Sequence, residues 1–267
     1  MTMRLAIAAG LALATLAAAA PGRAAEGEKL KSASWSFDGV FGTFDRKQLQ
    51  RGLKVYTTVC SLCHGMRQLS YRNLVEIGLT PSEAKAVANA KEVDDIGDDG
   101  QPKKRKADLK DRFVSPFPNV QAAAAANNNK APPDLSLMVK AREGGANYVY
   151  SLLTGYEEPP KDWKDDDGKP KKLEAGQNYN KYFPGHVIAM APPLTPDTEV
   201  DYGKDAQGKP IKPPVEEMAK DVAAFLAWAA EPTMEERKRT GIKVMLFLLL
   251  LTGVFFVIYR RLWKNLH

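Results

Sequence analysis

A pair of cysteines followed directly by a histidine constrains this chain more than any other feature. The residues are Cys60-Ser61-Leu62-Cys63-His64, and no other cysteine occurs among the 267 residues. Cysteines three apart on a helical turn lie on one side of it, so both can form thioethers to the vinyl groups of one haem. The adjacent imidazole then reaches one axial face of the iron. This C-x-x-C-H pattern is typical of covalent c-type haem attachment.

Two other uses of the cysteine pair compete with haem attachment, a redox Cys-x-x-Cys and one half of a zinc site. The sequence has no second cysteine pair, and no βαβ pattern surrounds this one. Its three histidines, at 64, 186 and 267, are too few for a multi-histidine metal cage. Cysteines this close together cannot bridge distant loops as a disulfide framework does. One haem c, held through Cys60 and Cys63, is therefore the predicted cofactor.

Two uncharged stretches predict how the chain is placed in the cell. Residues 5–20 follow Arg4, carry no charge and lead into small residues, which predicts a secretory signal peptide over residues 1–24. An uncleaved N-terminal anchor is the alternative. Near the other end, residues 241–259 contain one charge, at Lys243, and would form a helix about 28 Å long, close to the thickness of a bilayer core.

These stretches divide the chain into four predicted parts. They are a signal peptide (1–24), an exported haem domain (25–235), a transmembrane anchor (236–262) and a cytoplasmic tail (263–267). Positive charges flank the anchor on both sides, so counting them does not orient it. The signal peptide does, because it exports everything before the anchor. For a bacterial chain this predicts a single-pass protein of the inner membrane with its haem domain in the periplasm.

Helical periodicity predicts how the haem domain folds. Residues 45–59 lack proline and carry Leu49, Leu53 and Tyr56 on one face, which predicts a helix leading into the haem motif. Gly52 on this helix allows a second helix to cross closely, and Val215–Ala230 is the matching partner. Such a crossing resembles the cytochrome c fold. The predicted fold class is mainly α, a cytochrome c-like haem domain with long loops plus one C-terminal transmembrane helix.

The sixth ligand of the iron decides whether the haem transfers electrons or binds a substrate. Met190 is favoured because it lies in a proline-stiffened segment, residues 183–193, that can hold a thioether in place. Met138 and His186 remain open as rivals. The other methionines after the motif lie beside it, on the core helix, or at the anchor: Met66, Met218, Met234 and Met245. A methionine and histidine pair raises the potential and leaves no open coordination position.

The net charge of +6 does not by itself indicate a nucleic-acid partner. Such binding needs basic residues clustered on one face. Here the acids of residues 92–99 precede the bases of residues 103–106, and residues 161–172 also mix both signs. We expect both regions to be solvated loops. No nucleic acid is predicted as a partner.

Several further segments, taken together, resemble the cytochrome c1 family, the membrane-anchored haem subunits of cytochrome bc1 complexes. Besides the haem motif these are FDGVFG (37–42), APPDLS (131–136), YVYSLLTGY (148–156), MAPP (190–193) and WAAEP (228–232). The resemblance implies that Met190 is the axial methionine and that Arg142 and Tyr148 lie near the haem propionates. It also implies that Pro132 and Pro133 cover the proximal side, and that His186 is not a ligand.

The resemblance also implies a function. The chain would accept single electrons from a Rieske iron-sulfur protein and pass them to a soluble c-type cytochrome, with its anchor beside cytochrome b in a dimeric complex. It would be an electron-transfer subunit of an enzyme and make no bond itself. Acids in residues 92–99 and 165–167 are candidates for steering the soluble partner. The alternatives are a free-standing anchored cytochrome and a haem enzyme or gas sensor with an open sixth site.

Overall fold

Helices carry most of the fold, which confirms the predicted class. A computed structural model describes residues 28–164 and 169–264. The helices are α1 (Arg46–Thr58), α2 (Pro81–Asn89), α3 (Val120–Ala125), α4 (Gly145–Leu153), α5 (Val215–Ala230) and α6 (Met234–Trp263). Two short antiparallel hairpins accompany them, β1 (Glu92–Ile96) with β2 (Pro102–Lys106), and β3 (Asn178–Tyr179) with β4 (Val187–Ile188). The predicted signal peptide and the end of the tail lie outside the described residues.

Helix α1 begins one residue after the predicted start because Asp45 caps it. The Asp45 carboxylate accepts hydrogen bonds from the backbone N–H groups of Lys47 and Gln48, at 2.9 and 3.3 Å. Such a cap satisfies donors that have no partner inside a helix. The predicted apolar stripe of α1 is buried in the core, with Tyr56 only 1% exposed. The helix leading into the haem motif is therefore confirmed.

The predicted crossing of α1 with α5 is also confirmed, and Gly52 lies at its closest point. A Cβ atom on Gly52 would lie 2.2 Å from the backbone oxygen of Asp221 and 2.6 Å from the Cβ of Phe225. Only a residue without a side chain fits between the two backbones. The crossing fixes the direction in which α1 delivers the haem motif.

A buried carboxylate cross-links the same two helices. Asp221 on α5 is 1% exposed and accepts hydrogen bonds from Gln48 and Arg51 of α1 and from the Tyr202 hydroxyl. The shortest of these joins Arg51 Nε to Asp221 Oδ2 at 2.7 Å. A buried charge is tolerated when it is paired and fully hydrogen-bonded in this way.

Replacing Asp221 with asparagine should destabilise the haem domain. The substitution keeps the shape but leaves Arg51 without its anionic partner, and hydrogen bonds to charged groups contribute about 1.5–3 kcal/mol. Because Arg51 is half-exposed and water can replace part of the contact, we expect a loss of about 1–2 kcal/mol. Asp201→Asn is the matched control, since Asp201 is 84% exposed and 3.7 Å from Lys54. Denaturant unfolding of the full chain in detergent measures both, and equal midpoints for the two variants would contradict the assignment.

The expectation of solvated loops was wrong for residues 92–106, which form the β1–β2 hairpin. The acidic strand pairs with the basic strand so that Asp94 faces Lys104, and Arg105 Nε lies 2.6 Å from Asp95. Opposite charges facing each other across strands stabilise a hairpin. The acidic residues 92–99 and the basic residues 103–106, each considered alone, had the composition of a solvated loop. The hairpin is nevertheless largely exposed, as expected.

Helix α6 is long and apolar enough to cross a membrane, and its apolar section is not buried by the described residues. It begins seven residues before the predicted apolar stretch of residues 241–259, and that first part is tied to the haem domain. The guanidinium of Arg46 forms two hydrogen bonds of 2.9 Å with the carboxylate of Glu235, which also accepts the backbone N–H of Phe44 at 2.8 Å. We call this contact the Arg46–Glu235 clamp. It joins the start of the anchor to the start of α1.

Candidate haem site

The cysteine motif forms a tight turn at the end of α1. Cys60–Leu62 is a 3-10 turn, and the backbone N–H groups of Cys63 and His64 both donate to the Cys60 carbonyl, at 3.2 and 2.8 Å. The two cysteines form no disulfide with each other, and Cys60 is half-buried against the core while Cys63 is exposed. Burial raises the pKa of the Cys60 thiol to about 12. The turn presents two sulfur atoms and an imidazole from one short segment.

The imidazole of His64 is oriented by a backbone carbonyl. Its Nδ1 lies 2.7 Å from the carbonyl oxygen of Pro133, which makes Nδ1–H the donor and leaves Nε2 as the basic nitrogen. Burial lowers the pKa of His64, against smaller opposing effects of the Pro133 carbonyl and Asp134. A neutral imidazole with one nitrogen held by a carbonyl is the usual state of a metal-binding histidine.

The segment that carries Pro133 is held against the motif by several hydrogen bonds. Leu135 N–H donates to the Gly65 carbonyl at 2.8 Å, and Asp134 Oδ2 accepts the N–H of Arg67 at 2.8 Å. Burial favours a higher pKa for Asp134, but hydrogen bonds from Ser136 and Arg67 outweigh it, and the pKa is lowered. Pro132 is half-buried and Pro133 exposed. Sequence reasoning assigned the prolines a covering role and missed the carbonyl that orients His64.

Met190 follows the β3–β4 hairpin and is held by a tyrosine. The hydroxyl of Tyr156 donates to the Met190 carbonyl at 3.1 Å, and Met190 itself is half-buried. Burial and the nearby hydroxyl of Tyr148 both raise the pKa of Tyr156, so its hydroxyl remains a donor. Tyr156 ends the segment YVYSLLTGY (148–156), which resembles the family, but its bond to Met190 could not be predicted from the sequence.

The rival ligands, Met138 and His186, lie in different parts of the fold. Met138 packs against the core, and Met66 and Met218 are fully buried in it. His186 adopts a left-handed backbone conformation (φ 62°) at a corner of the β3–β4 hairpin. Its ring stacks on Tyr179 at 5.5 Å between centroids, and its Nδ1 is buried without a hydrogen-bond partner among the described residues. The His186 ring therefore packs against Tyr179 within the hairpin.

Arg142 and Tyr148 lie on either side of the turn that begins α4. Tyr148 is 7% exposed on α4, whereas Arg142 is exposed and donates to the carbonyl of its neighbour Ala141 at 3.0 Å. Within the described ranges, Arg142 forms no ion pair, and no hydrogen bond joins Arg142, Tyr148 or Met190 to the motif turn. The residues brought into direct contact are His64 and Pro133.

A mainly helical domain with a C-x-x-C-H turn and one apolar C-terminal helix has the architecture of a membrane-anchored c-type cytochrome. The Cytochrome C1 family matches residues 35–266. The chain is 43% identical to cytochrome c1 of Rhodospirillum rubrum over 97% of this chain and 96% of that protein. It therefore belongs to the cytochrome c1 family. This membership implies a c-type haem and a role in electron transfer.

Two further relatives have names that mention a larger assembly. The cytochrome b-c1 complex catalytic subunit of Candida albicans is 46% identical over 80% of this chain and 70% of that protein. The protein named cytochrome b/c1 of Bradyrhizobium diazoefficiens is 41% identical over 92% of this chain, and the match spans 37% of that protein. Both matches cover the greater part of the chain described here.

Proposed function

We propose that this chain is the haem subunit of a quinol:cytochrome c oxidoreductase, carrying single electrons from a Rieske iron-sulfur protein to a soluble c-type cytochrome. The observation that supports it best is the 2.7 Å contact of His64 Nδ1 with the Pro133 carbonyl. It fixes the tautomer and aims the remaining nitrogen, Nε2, for binding a metal. The haem iron that Nε2 would bind can be reduced and oxidised reversibly by one electron.

The residues fit a covalently held haem c. Cys60 and Cys63 would hold the haem through thioether bonds, and His64 Nε2 and the Met190 sulfur would bind its iron. Tyr156 holds the Met190 backbone at 3.1 Å, so the thioether need not be ordered from a free loop. Arg142, which has no carboxylate partner among the residues described, can pair with a propionate, and Tyr148 can donate to one. Pro132 and Pro133 contribute no backbone N–H and limit water on the proximal side.

The names of the relatives support the proposed partners. Cytochrome b is the proposed neighbour of α6, because one relative combines b and c1 in a single name. The Rieske protein and the soluble cytochrome follow from the proposed reaction, and a dimeric complex from the family resemblance. The chain would cross the bacterial inner membrane once, with the haem domain in the periplasm.

The acids proposed for steering the soluble partner stand in two different situations. Glu92, Asp94 and Asp95 lie opposite lysines of β2, so their field is largely compensated, whereas Asp98 and Asp99 lie in the turn between the strands. Residues 165–167 lie outside the described ranges. Steering remains a prediction, tested by neutralising the acids of β1. A slower association at low ionic strength would support it, and an unchanged rate would exclude it.

Serine at Cys60 or Cys63 should reduce covalent haem attachment, and serine at both should abolish it. Each thiol can form one of two thioethers, so a single variant should keep a haem with one free vinyl group and a shifted absorption band. Leu62→Ser is the matched control, because Leu62 lies between the cysteines and is 65% exposed. Haem staining of the denatured full chain measures the bond. Haem that stays bound to the double variant would contradict the proposed site.

Electron flow itself is tested in the assembled complex. Quinol should reduce the haem of this chain, and a soluble c-type cytochrome should reoxidise it. Carbon monoxide binding to the reduced chain would instead favour the haem enzyme or sensor. Purification without cytochrome b, together with reduction by another donor, would favour the free-standing cytochrome.

A further inference from the structure

A tight turn at residues 38–42 exposes two adjacent apolar side chains. Val40 is 62% and Phe41 83% exposed. We call residues 38–42 the apolar turn. Phe41 is the most exposed of the large apolar residues in the part of the chain that the structure describes. An exposed pair of this kind indicates a surface that contacts something other than water.

A hydrogen bond and two glycines define the backbone of the apolar turn. Thr43 N–H donates to the Ser36 carbonyl at 3.0 Å and closes the turn at its base. Gly39 adopts a left-handed conformation (φ 71°), and a Cβ on Gly42 would lie 2.1 Å from the Asp38 carbonyl oxygen. The two apolar side chains are therefore held outward by the backbone.

Lys238 of α6 holds both ends of the apolar turn. Its Nζ donates to the Phe37 carbonyl at 2.7 Å and to the Gly42 carbonyl at 3.2 Å. Together with the Arg46–Glu235 clamp, this contact fixes the turn beside the first turns of the anchor. The position of the turn relative to the anchor is thus set by charge-assisted hydrogen bonds.

The tip of the turn reaches the level at which α6 becomes apolar. Gly39 and Val40 border the same open groove as Ile242, Met245 and Leu249 of α6. The groove therefore continues from the turn onto the face of the helix that crosses the membrane. Any molecule that covers Ile242, Met245 and Leu249 on α6 therefore also contacts the apolar turn.

Charge at this level favours lipid as the occupant. Arg239 and Lys243 are exposed on α6 one and five residues after Lys238, and no ion pair of either occurs among the described residues. Basic side chains next to exposed apolar ones suit the boundary between phosphate headgroups and acyl chains. We infer that the apolar turn is a second membrane contact, with Val40 and Phe41 inserted into the lipid interface beside α6.

A depth measurement tests this inference. A nitroxide is attached to Phe41→Cys in the full chain, reconstituted in vesicles of phosphatidylcholine and phosphatidylglycerol. Oxygen concentrates in the acyl region of the bilayer, whereas a polar nickel complex stays in water. The ratio of the two collision rates with the nitroxide therefore reports how deep the label lies. Ile96→Cys is the matched control, an apolar residue of the β1–β2 hairpin that is 70% exposed. Leu249→Cys, within the span, gives the lipid limit.

We expect the oxygen-to-nickel ratio at position 41 to be several-fold higher than at position 96 and to approach that at position 249. Equal ratios at 41 and 96 would overturn the inference. A label that is exposed to nickel in vesicles and protected only when cytochrome b is present would also overturn it, in favour of a protein contact. The unsubstituted chain is the blank. If the label attaches to Cys60 and Cys63 of the unsubstituted chain, the proposed thioether bonds to haem have not formed. The signal of that chain is subtracted from the others, so the depths at positions 41, 96 and 249 can still be compared.

Discussion

Leucine in place of Met190 should lower the reduction potential of the haem by a few tenths of a volt. This is a sizeable part of the roughly 0.8 V over which axial ligands set haem potentials. Without the methionine sulfur, the iron would lose the ligand that favours its reduced state, and its sixth coordination position would be open. The oxidised protein should lose its sulfur-to-iron absorption band, and the reduced protein should bind carbon monoxide. A redox titration and optical spectra of the purified full chain measure these changes.

Two controls separate the ligand from its surroundings. Met138→Leu changes a methionine that packs against the core, and should leave the potential and the spectrum unchanged. His186→Ala removes the ring stacked on Tyr179 and should leave Met190 bound to the iron. If the His186 variant opens the iron while the Met190 variant does not, the haem has two histidine ligands. The proposed place between a Rieske protein and a soluble cytochrome would then need revision.

Among the substitutions named above, Gly52→Val should lower the free energy of unfolding of the haem domain the most. The new Cβ would lie 2.2 Å from the Asp221 backbone oxygen, and backbone cannot move aside as a side-chain end can. Overpacking typically costs 1–3 kcal/mol. Because two backbones must separate, we expect a loss of about 3 kcal/mol or more in the free energy of unfolding. Less haem should also be retained, since α1 no longer holds the motif turn.

Lys54→Val is the matched control, because it places the same side chain on the same helix. Lys54 is 47% exposed, and its contact with Asp201 is 3.7 Å long. Exposed substitutions of this kind change stability by about 0.5 kcal/mol or less. Denaturant unfolding in detergent, followed by tryptophan fluorescence, compares the variants. A Gly52 variant as stable as the Lys54 variant would mean that the helices do not cross as closely as described.

Local patterns were enough to predict α1, α5 and their crossing. Helical periodicity and a single glycine are properties of neighbouring residues, and α5 occupies the predicted Val215–Ala230. Individual hydrogen bonds and strand pairings were not predictable in this way. The Pro133 carbonyl, 69 residues from His64, is a backbone atom that any residue could supply. The β1–β2 hairpin was missed because its strands are charged, while strands are usually recognised by alternating apolar residues.

The link between Arg51 and Asp221 spans 170 residues, and this separation sets an order of events in time. A ribosome that adds about 5–20 residues per second completes α5 roughly 10 to 30 seconds after the cysteine motif. During that interval Cys60, Cys63 and His64 belong to a chain that has no partner helix to pack against. Synthesis therefore leaves a period in which the thiols are accessible before the core exists. Helix α6 begins only four residues after α5 ends, so the core cannot close before synthesis reaches the anchor.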